Sequence, residues 1–128
     1  MSLRSPLGRV LGSGSAKDGT EHWWMQRVTA VGVLLLGGWF LYALARLPGF
    51  SHAEVVAWAG QPLNGILLVL LSVTLAWHSK LGVQVVIEDY VHGPALKVFS
   101  LVLNKFAHVF VAGAAVYSVL LMALRGQL

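Results

Sequence analysis

The chain has 128 residues, of which 57% are hydrophobic and only 11% are charged, and it contains no cysteine. About 25% of the residues of a soluble domain are charged, so this chain has too few polar side chains to cover a folded surface in water and is predicted to lie in a membrane. The lack of cysteine excludes disulfides, iron–sulfur ligation and thiol chemistry. The net charge of +4 is predicted to set the orientation in the membrane, with no nucleic-acid binding.

The first nineteen residues are polar, rich in Gly and Ser, and include Arg4, Arg9 and Lys17. They lack the apolar core of a secretory signal peptide, and a mitochondrial transit peptide is the less favoured interpretation of their composition. We predict that residues 1–19 form a disordered basic tail on the cytoplasmic side. Residues 20–128 are predicted to form a three-helix membrane anchor.

Three long apolar segments predict transmembrane helices over about 28–47, 62–90 and 95–124, because about 20 apolar residues span a bilayer. The segment Glu21–Arg27, with two tryptophans, is predicted to lie at the membrane surface before the first span. Between the first two spans, Ser51 is a candidate cap for a short helix over residues 53–58. The predicted fold class is an all-α membrane protein with three transmembrane helices.

The second span is longer than the bilayer core requires, so its last residues are predicted to reach the membrane surface. Lys and Arg near the helix ends predict the orientation, because cytoplasmic loops carry an excess of them. The N-terminus and the Asp89–Tyr90 end are therefore predicted to be cytoplasmic. The residues counted for that side are Arg4, Arg9, Lys17, Arg27 and Lys97, against Arg46 and Arg125 for the other.

His78 is the main candidate for chemistry, because it lies within the second apolar span. An ionisable group inside a membrane is a functional candidate by default, although a packing histidine bonded to another helix is the alternative. Gly82 follows one helical turn later on the same face and leaves a gap in which a flat porphyrin could stand. This spacing favours His78 as an axial ligand of haem iron, with its Nδ1–H held by a backbone carbonyl. His108 is the internal competitor, and an interhelical hydrogen bond near Asn104 explains it equally well.

Asp89 and Tyr90 form the second candidate site, at the end of the second span. A phenol can donate a hydrogen bond to a quinone carbonyl, and an adjacent carboxylate can relay protons. An ordinary helix-terminal acid beside an interfacial tyrosine explains the pair equally well. Arg27 is predicted to pair with Asp89 or with haem propionates, and Lys80 is predicted to point away from His78.

The pattern His78-x3-Gly82-x6-Asp89-Tyr90 resembles the small hydrophobic anchor subunit of succinate dehydrogenase, respiratory complex II, and His22 to Ala30 is similar to the first-helix signature of its bacterial form. The resemblance implies a second three-helix anchor subunit of cytochrome b type, with one haem b between the two and one His ligand from each. It implies His78 as this chain's ligand, a packing role for His108, and Arg27 near the propionates.

The resemblance further implies that Tyr90 and Asp89 bind ubiquinone, and that a flavoprotein subunit and an iron–sulfur subunit dock on the cytoplasmic face and deliver electrons from succinate. The chain itself has no catalytic residue. It is expected in the bacterial inner membrane, with the mitochondrial inner membrane less favoured. The alternatives are a small proton-coupled transporter, which needs a membrane-embedded carboxylate, and a structural anchor without cofactor.

Overall fold

The computed structural model describes residues 18–125. They form four helices: α1 (Asp18–Ala45), α2 (His52–Ala59), α3 (Pro62–Tyr90) and α4 (Pro94–Arg125). Three of them, α1, α3 and α4, are long and apolar enough to cross a membrane. The predicted all-α fold with three transmembrane helices is confirmed for this part of the chain. The predicted tail lies outside the described residues except for Asp18 and Gly19, which belong to α1.

Helix α1 begins ten residues before the predicted first span and ends two residues before its predicted end. The segment Glu21–Arg27, predicted to lie at the membrane surface, continues the helix because it contains neither Gly nor Pro. At the other end, Arg46 N and Leu47 N each donate to a carbonyl three residues back at 3.2 Å, which closes a turn. The helix stops there because Pro48 disfavours a helical conformation for the residue before it.

The short helix α2 starts with the predicted cap, which is confirmed. Ser51 Oγ accepts a hydrogen bond from Glu54 N at 3.3 Å, and Glu54 Oε2 accepts one from Ser51 N at 3.0 Å. This reciprocal arrangement, a capping box, satisfies two backbone donors that a helix start leaves unpaired. The helix packs beneath α3 and α4 with Ala59 completely buried.

Helix α3 lies between α1 and α4 and packs against both, whereas α1 and α4 do not pack against each other within residues 18–125. The pairs of residues in contact run in opposite directions along neighbouring helices, so α3 is antiparallel to both. The three long helices thus form a single layer with α3 in the middle. The C-terminal end of α3 lies at the same end of this layer as the starts of α1 and α4. At the opposite end, α2 closes the layer with an aromatic contact between Trp39 and Trp58, whose ring centroids lie 6.0 Å apart.

The distance between α1 and α3 is set by a glycine. A Cβ atom built on Gly32 would lie 2.9 Å from Thr74 Cγ2, closer than carbon atoms pack. Only a residue without a side chain allows the two helices to approach this closely. Gly37 and Gly38, on the same helix, have no neighbouring atom within 4 Å of such a Cβ among the described residues. One glycine of the three is thus used for helix packing in this chain.

Candidate functional site

His78 faces helix α1, at the interface between α1 and α3. Its Nδ1 lies 3.0 Å from Oγ1 of Thr29, a residue that is only 8% exposed. The imidazole itself is half-buried. The expectation that a backbone carbonyl would hold Nδ1 is wrong, because helix α1 uses its carbonyls for its own hydrogen bonds and presents a side-chain hydroxyl to α3.

Gly82 lies one turn beyond His78 and also faces α1. A Cβ built on it would stand 3.8 Å from Gln26 Nε2, which is ordinary van der Waals contact. Alanine would therefore fit at this position, and a larger side chain would meet Gln26. His78 and Gly82 do lie on one face of α3, but Gln26 of α1 lies against that face at Gly82, where the sequence predicted a gap for a porphyrin.

Arg27 and Asp89 are not brought together. Arg27 is exposed, and its guanidinium carbon lies 5.4 Å from the ring centroid of Trp23, one turn away on the same helix. Gln26 lies opposite Gly82, so Arg27 is level with residue 81 and Asp89 lies about 12 Å further along the axis at 1.5 Å per residue. The ion pair between Arg27 and Asp89 is absent from the described structure, and of the two predicted partners only the propionates remain.

Asp89 and Tyr90 end helix α3, and both side chains are exposed, Tyr90 by 77%. The backbone that carries them is held from α4: Lys97 Nζ donates to the Glu88 carbonyl oxygen at 2.7 Å. A cation at this point also interacts favourably with the negative end of the helix dipole. In the sequence, Lys97 was used only to predict the orientation in the membrane. The short Gly93–Pro94 turn brings its side chain back to the end of α3.

His108 lies at the other interface, between α3 and α4, with both ring nitrogens in use. Nδ1 is 2.9 Å from the Asn104 carbonyl oxygen and Nε2 is 3.1 Å from Ser79 Oγ. Asn104 Nδ2 also crosses to the Lys80 carbonyl oxygen at 3.1 Å. This is the interhelical hydrogen bonding that the sequence offered as the alternative to ligation.

Two further polar side chains lie near these interfaces. The Nε2 of His22 is buried without a partner in the described chain, because the early start of α1 draws it against α3. Lys80 places Nζ 5.7 Å from the ring centroid of Trp77, on the α3 surface away from the His78 contact with α1. Within residues 18–125 no three His, Cys, Asp or Glu side chains converge.

Thr29 is the residue of this site that sequence reasoning missed. It belongs to the first-helix signature quoted above, but a signature does not say which of its residues faces the neighbouring helix. The facing residue depends on the rotation of α1 about its axis, which the contact of Gly32 with Thr74 sets. The sequence did contain one indication of the role of Thr29: its hydroxyl lies one turn before Gly32, the glycine at which the helices pack closely.

These features define a class: a helical subunit that crosses the membrane three times, with one half-buried imidazole between spans and an exposed acid–phenol pair at the end of the middle span. A family model described as "Succinate dehydrogenase/Fumarate reductase transmembrane subunit" matches residues 1–122. The chain belongs to this family, as its motifs suggested. It is a multi-pass membrane anchor that works as one subunit of succinate dehydrogenase and does not carry that enzyme's catalytic centre.

Similar proteins carry matching names. The succinate dehydrogenase hydrophobic membrane anchor subunit of Paracoccus denitrificans is 33% identical over 124 residues, covering 97% of this chain and 95% of the relative. The corresponding subunit of Rickettsia bellii (strain RML369-C) is 37% identical over 90 residues, 70% of this chain and 71% of the relative. The succinate dehydrogenase membrane anchor subunit of Reclinomonas americana is 35% identical over 95 residues, 70% and 77% of the two chains. No solved structure matches the chain significantly.

Proposed function

We propose that this chain supplies one axial ligand of a haem b through His78 and part of a ubiquinone-reduction site through Tyr90 and Asp89. In this proposal it also tethers the flavoprotein and iron–sulfur subunits of the complex to the membrane. The observation that carries it is the environment of His78, an imidazole within a membrane span that uses one ring nitrogen inside the chain and leaves the other available.

The residues around His78 fit a haem ligand. A histidine that binds a metal almost always uses its other ring nitrogen for a hydrogen bond that orients the ring. Nδ1 has such a partner in Thr29, and Nε2 has no hydrogen-bond partner among residues 18–125. Haem would supply a one-electron redox centre, and the second anchor subunit, of cytochrome b type, would provide the second ligand. Arg27, exposed at the same end of the layer, is the candidate partner for a propionate.

The exposed end of α3 supports the quinone site. The Tyr90 hydroxyl can donate a hydrogen bond to a quinone carbonyl oxygen, and neither Tyr90 nor Asp89 has a side-chain hydrogen bond within the described chain. Reduction of a quinone to a quinol takes up two electrons and two protons. Asp89, exposed at the end of α3, would pass those protons to the reduced oxygen atoms.

The distribution of basic residues supports an N-terminus on the cytoplasmic side of a bacterial inner membrane. Arg27 and Lys97 lie toward the Tyr90 end of the layer, and Arg46 and Arg125 lie at the opposite ends of α1 and α4. The tail precedes the start of α1 and so adds three more basic residues to the Tyr90 end. Because cytoplasmic ends carry the excess of Lys and Arg, the Tyr90 end is the cytoplasmic one. The flavoprotein and iron–sulfur subunits would dock on that face.

The optical spectrum of the purified complex tests the haem ligand. In His78→Ala the reduced b-type haem band should disappear, because the alanine has no atom that can ligate iron. His108→Ala is the matched control: it removes an imidazole of the neighbouring interface and should leave the band unchanged. A wild-type spectrum in His78→Ala would show that another residue ligates the iron. If the wild-type complex contained no haem, the chain would be a structural anchor that binds no cofactor.

Tyr90→Phe tests the quinone site, because it removes one hydroxyl and keeps the ring. We expect quinone reduction to fall by about 10²–10⁴-fold, the range for loss of a positioned acid–base group. Succinate oxidation with an artificial dye should stay at the wild-type rate. Tyr42→Phe, an exposed tyrosine toward the far end of α1, is the control and should change neither activity. Equal loss of both activities in Tyr90→Phe would contradict the role of Tyr90.

A further inference from the structure

The contact between Thr29 and His78 has a direction that the neighbours of the hydroxyl determine. Thr29 Oγ1 lies 2.8 Å from the Met25 carbonyl oxygen and 3.2 Å from the Gln26 carbonyl oxygen. Carbonyl oxygens only accept, and the Met25 carbonyl oxygen is nearer to Oγ1 than His78 Nδ1 is, which favours donation of the single hydroxyl proton within α1. The oxygen then presents only lone pairs to His78 Nδ1, 3.0 Å away. For a hydrogen bond to form, Nδ1 must carry the ring proton and donate it.

We propose that Thr29 is the positioning residue of the haem ligand: by accepting the Nδ1–H of His78 it selects the tautomer whose Nε2 is unprotonated and able to bind iron. This inference rests on the proposed haem site and deepens it. An imidazole that carried its proton on Nε2 would have no lone pair there for the metal. The hydrogen bond also makes the imidazole a stronger electron donor to iron.

The position of the hydroxyl is closely defined, as a positioning role requires. Thr29 is buried, and its β-branched side chain has few rotamers in a helix. One turn later on the same face, Gly32 is in close contact with Thr74, and one turn earlier Gln26 lies against Gly82. The helices are thus held on both sides of the hydrogen bond, which prevents α1 from rotating the hydroxyl away from the ring.

His108 provides the internal comparison. Its Nδ1 faces a carbonyl oxygen, so that nitrogen also carries the proton, and the two histidines share one neutral tautomer. The Nε2 of His108, however, accepts from Ser79 Oγ at 3.1 Å. The tautomer alone therefore does not make a ligand. What distinguishes His78 is that its proton is held by Thr29 while its Nε2 has no partner in the described chain.

The test is a potentiometric titration of haem b in the intact purified complex. Thr29→Val keeps the shape and removes the acceptor, whereas Thr29→Ser keeps the hydroxyl. Loss of an outer-shell partner changes metal affinity by about 10–100-fold. We expect Thr29→Val to weaken the binding of ferric iron, relative to that of ferrous iron, by about tenfold. For a one-electron couple this raises the midpoint potential by about 59 mV. Thr29→Ser should have the wild-type potential.

Ser72→Ala is the matched control. The Ser72 hydroxyl also donates to a carbonyl of its own helix, that of Leu68 at 2.7 Å, but it contacts no imidazole. Its removal should leave the potential unchanged. Loss of haem from an otherwise assembled Thr29→Val complex, restored in Thr29→Ser, would also support the inference. A wild-type potential in Thr29→Val, or equal shifts in the Val and Ser variants, would overturn it.

A second measurement reads the tautomer without haem. In complex prepared with ¹⁵N-labelled histidine and without haem, the ring nitrogens of His78 should report a proton on Nδ1, and Thr29→Val should shift the population toward Nε2. A wild-type ring protonated on Nε2 would overturn the inference. If His78→Ala kept the haem, the proposed function would fail while the tautomer result stood. If the haem depended on His78 but was insensitive to Thr29→Val, only the inference would fail.

Discussion

The two helix interfaces of the layer contain the same residue type and use it differently. In the α1–α3 interface, called here the His78 interface, the imidazole makes one contact, with Thr29, at a place where Gly32 brings the helices close. In the α3–α4 interface, the His108 interface, both ring nitrogens are bonded, and Asn104 adds a third polar link. Both ring nitrogens of His108 are therefore in use, although Asn104 Oδ1 is buried without a partner in the described chain, whereas His78 has one nitrogen available.

The difference shows that a histidine inside a membrane is not by itself a sign of chemistry. A buried polar group in a span needs partners, and helix packing can supply all of them, as it does for His108. At the His78 interface, where Gly32 brings the two helices close, the described chain supplies a partner to only one of the two ring nitrogens. Counting the occupied ring nitrogens thus separates a packing histidine from a candidate ligand more sharply than position in the sequence does.

The largest expected effect on the difference between the two interfaces comes from replacing Gly32, the glycine of the His78 interface. Gly32→Ala places a carbon 2.9 Å from Thr74 Cγ2, so the helices must move apart. We expect a loss of stability of about 1–3 kcal/mol, the usual cost of overpacking, and a disturbed haem spectrum. Thermal unfolding of the complex measures the first, with Gly38→Ala, open in this chain, as control. Equal stability of the two variants would show that Gly32 does not set the spacing.

An intermediate effect is expected at the His108 interface. Asn104→Ala removes the bond to the Lys80 carbonyl and should cost about 0.6–1.7 kcal/mol, the range for hydrogen bonds between membrane helices. The haem spectrum should stay unchanged, because this interface lies on the other side of α3. Ser118→Ala, which removes only a bond within α4, is the control in the same unfolding assay. A haem change in Asn104→Ala would mean that the two interfaces are coupled.

The smallest effect is expected outside both interfaces, at the start of α2. Hydrogen bonds from the Ser51 side chain and backbone hold the pKa of the Glu54 carboxyl below its usual range. A lowered pKa means that the stabilisation is complete above the unfolded-state pKa and is lost as the pH falls through the folded-state value. Titration of Glu54 followed by ¹³C NMR should show its pKa rising toward the ordinary range in Ser51→Ala, which removes the side-chain hydrogen bond and keeps the one from the backbone.

The matched variant for this titration is Glu54→Gln, which keeps an acceptor at the same place but cannot ionise in this range. The acid dependence of α2 stability should therefore disappear in Glu54→Gln. A persistent dependence would assign it to another group. Neither variant should alter the two interfaces, since α2 lies at the end of the layer away from Tyr90.

Much of the fold follows from the sequence alone. Pro62 and the turn before Pro94 delimit α3, because proline starts helices easily and cannot continue them. The capping box of α2 was readable from Ser51 and Glu54 for a similarly local reason. The start of α1 could not be predicted in this way. Hydropathy indicates which residues can lie in lipid, but the helix also includes the amphipathic residues before the apolar segment.

The candidate site divides in the same way. Spacing along one helix places His78 and Gly82 on one face, and composition alone makes the chain a membrane protein, because both depend only on helix geometry and side-chain chemistry. Which residue meets His78 depends on the rotation and separation of a neighbouring helix. Those are decided by contacts such as Gly32 with Thr74, between residues far apart in the chain. Only the tertiary structure could therefore pair His78 with Thr29, occupy both nitrogens of His108, and separate Arg27 from Asp89.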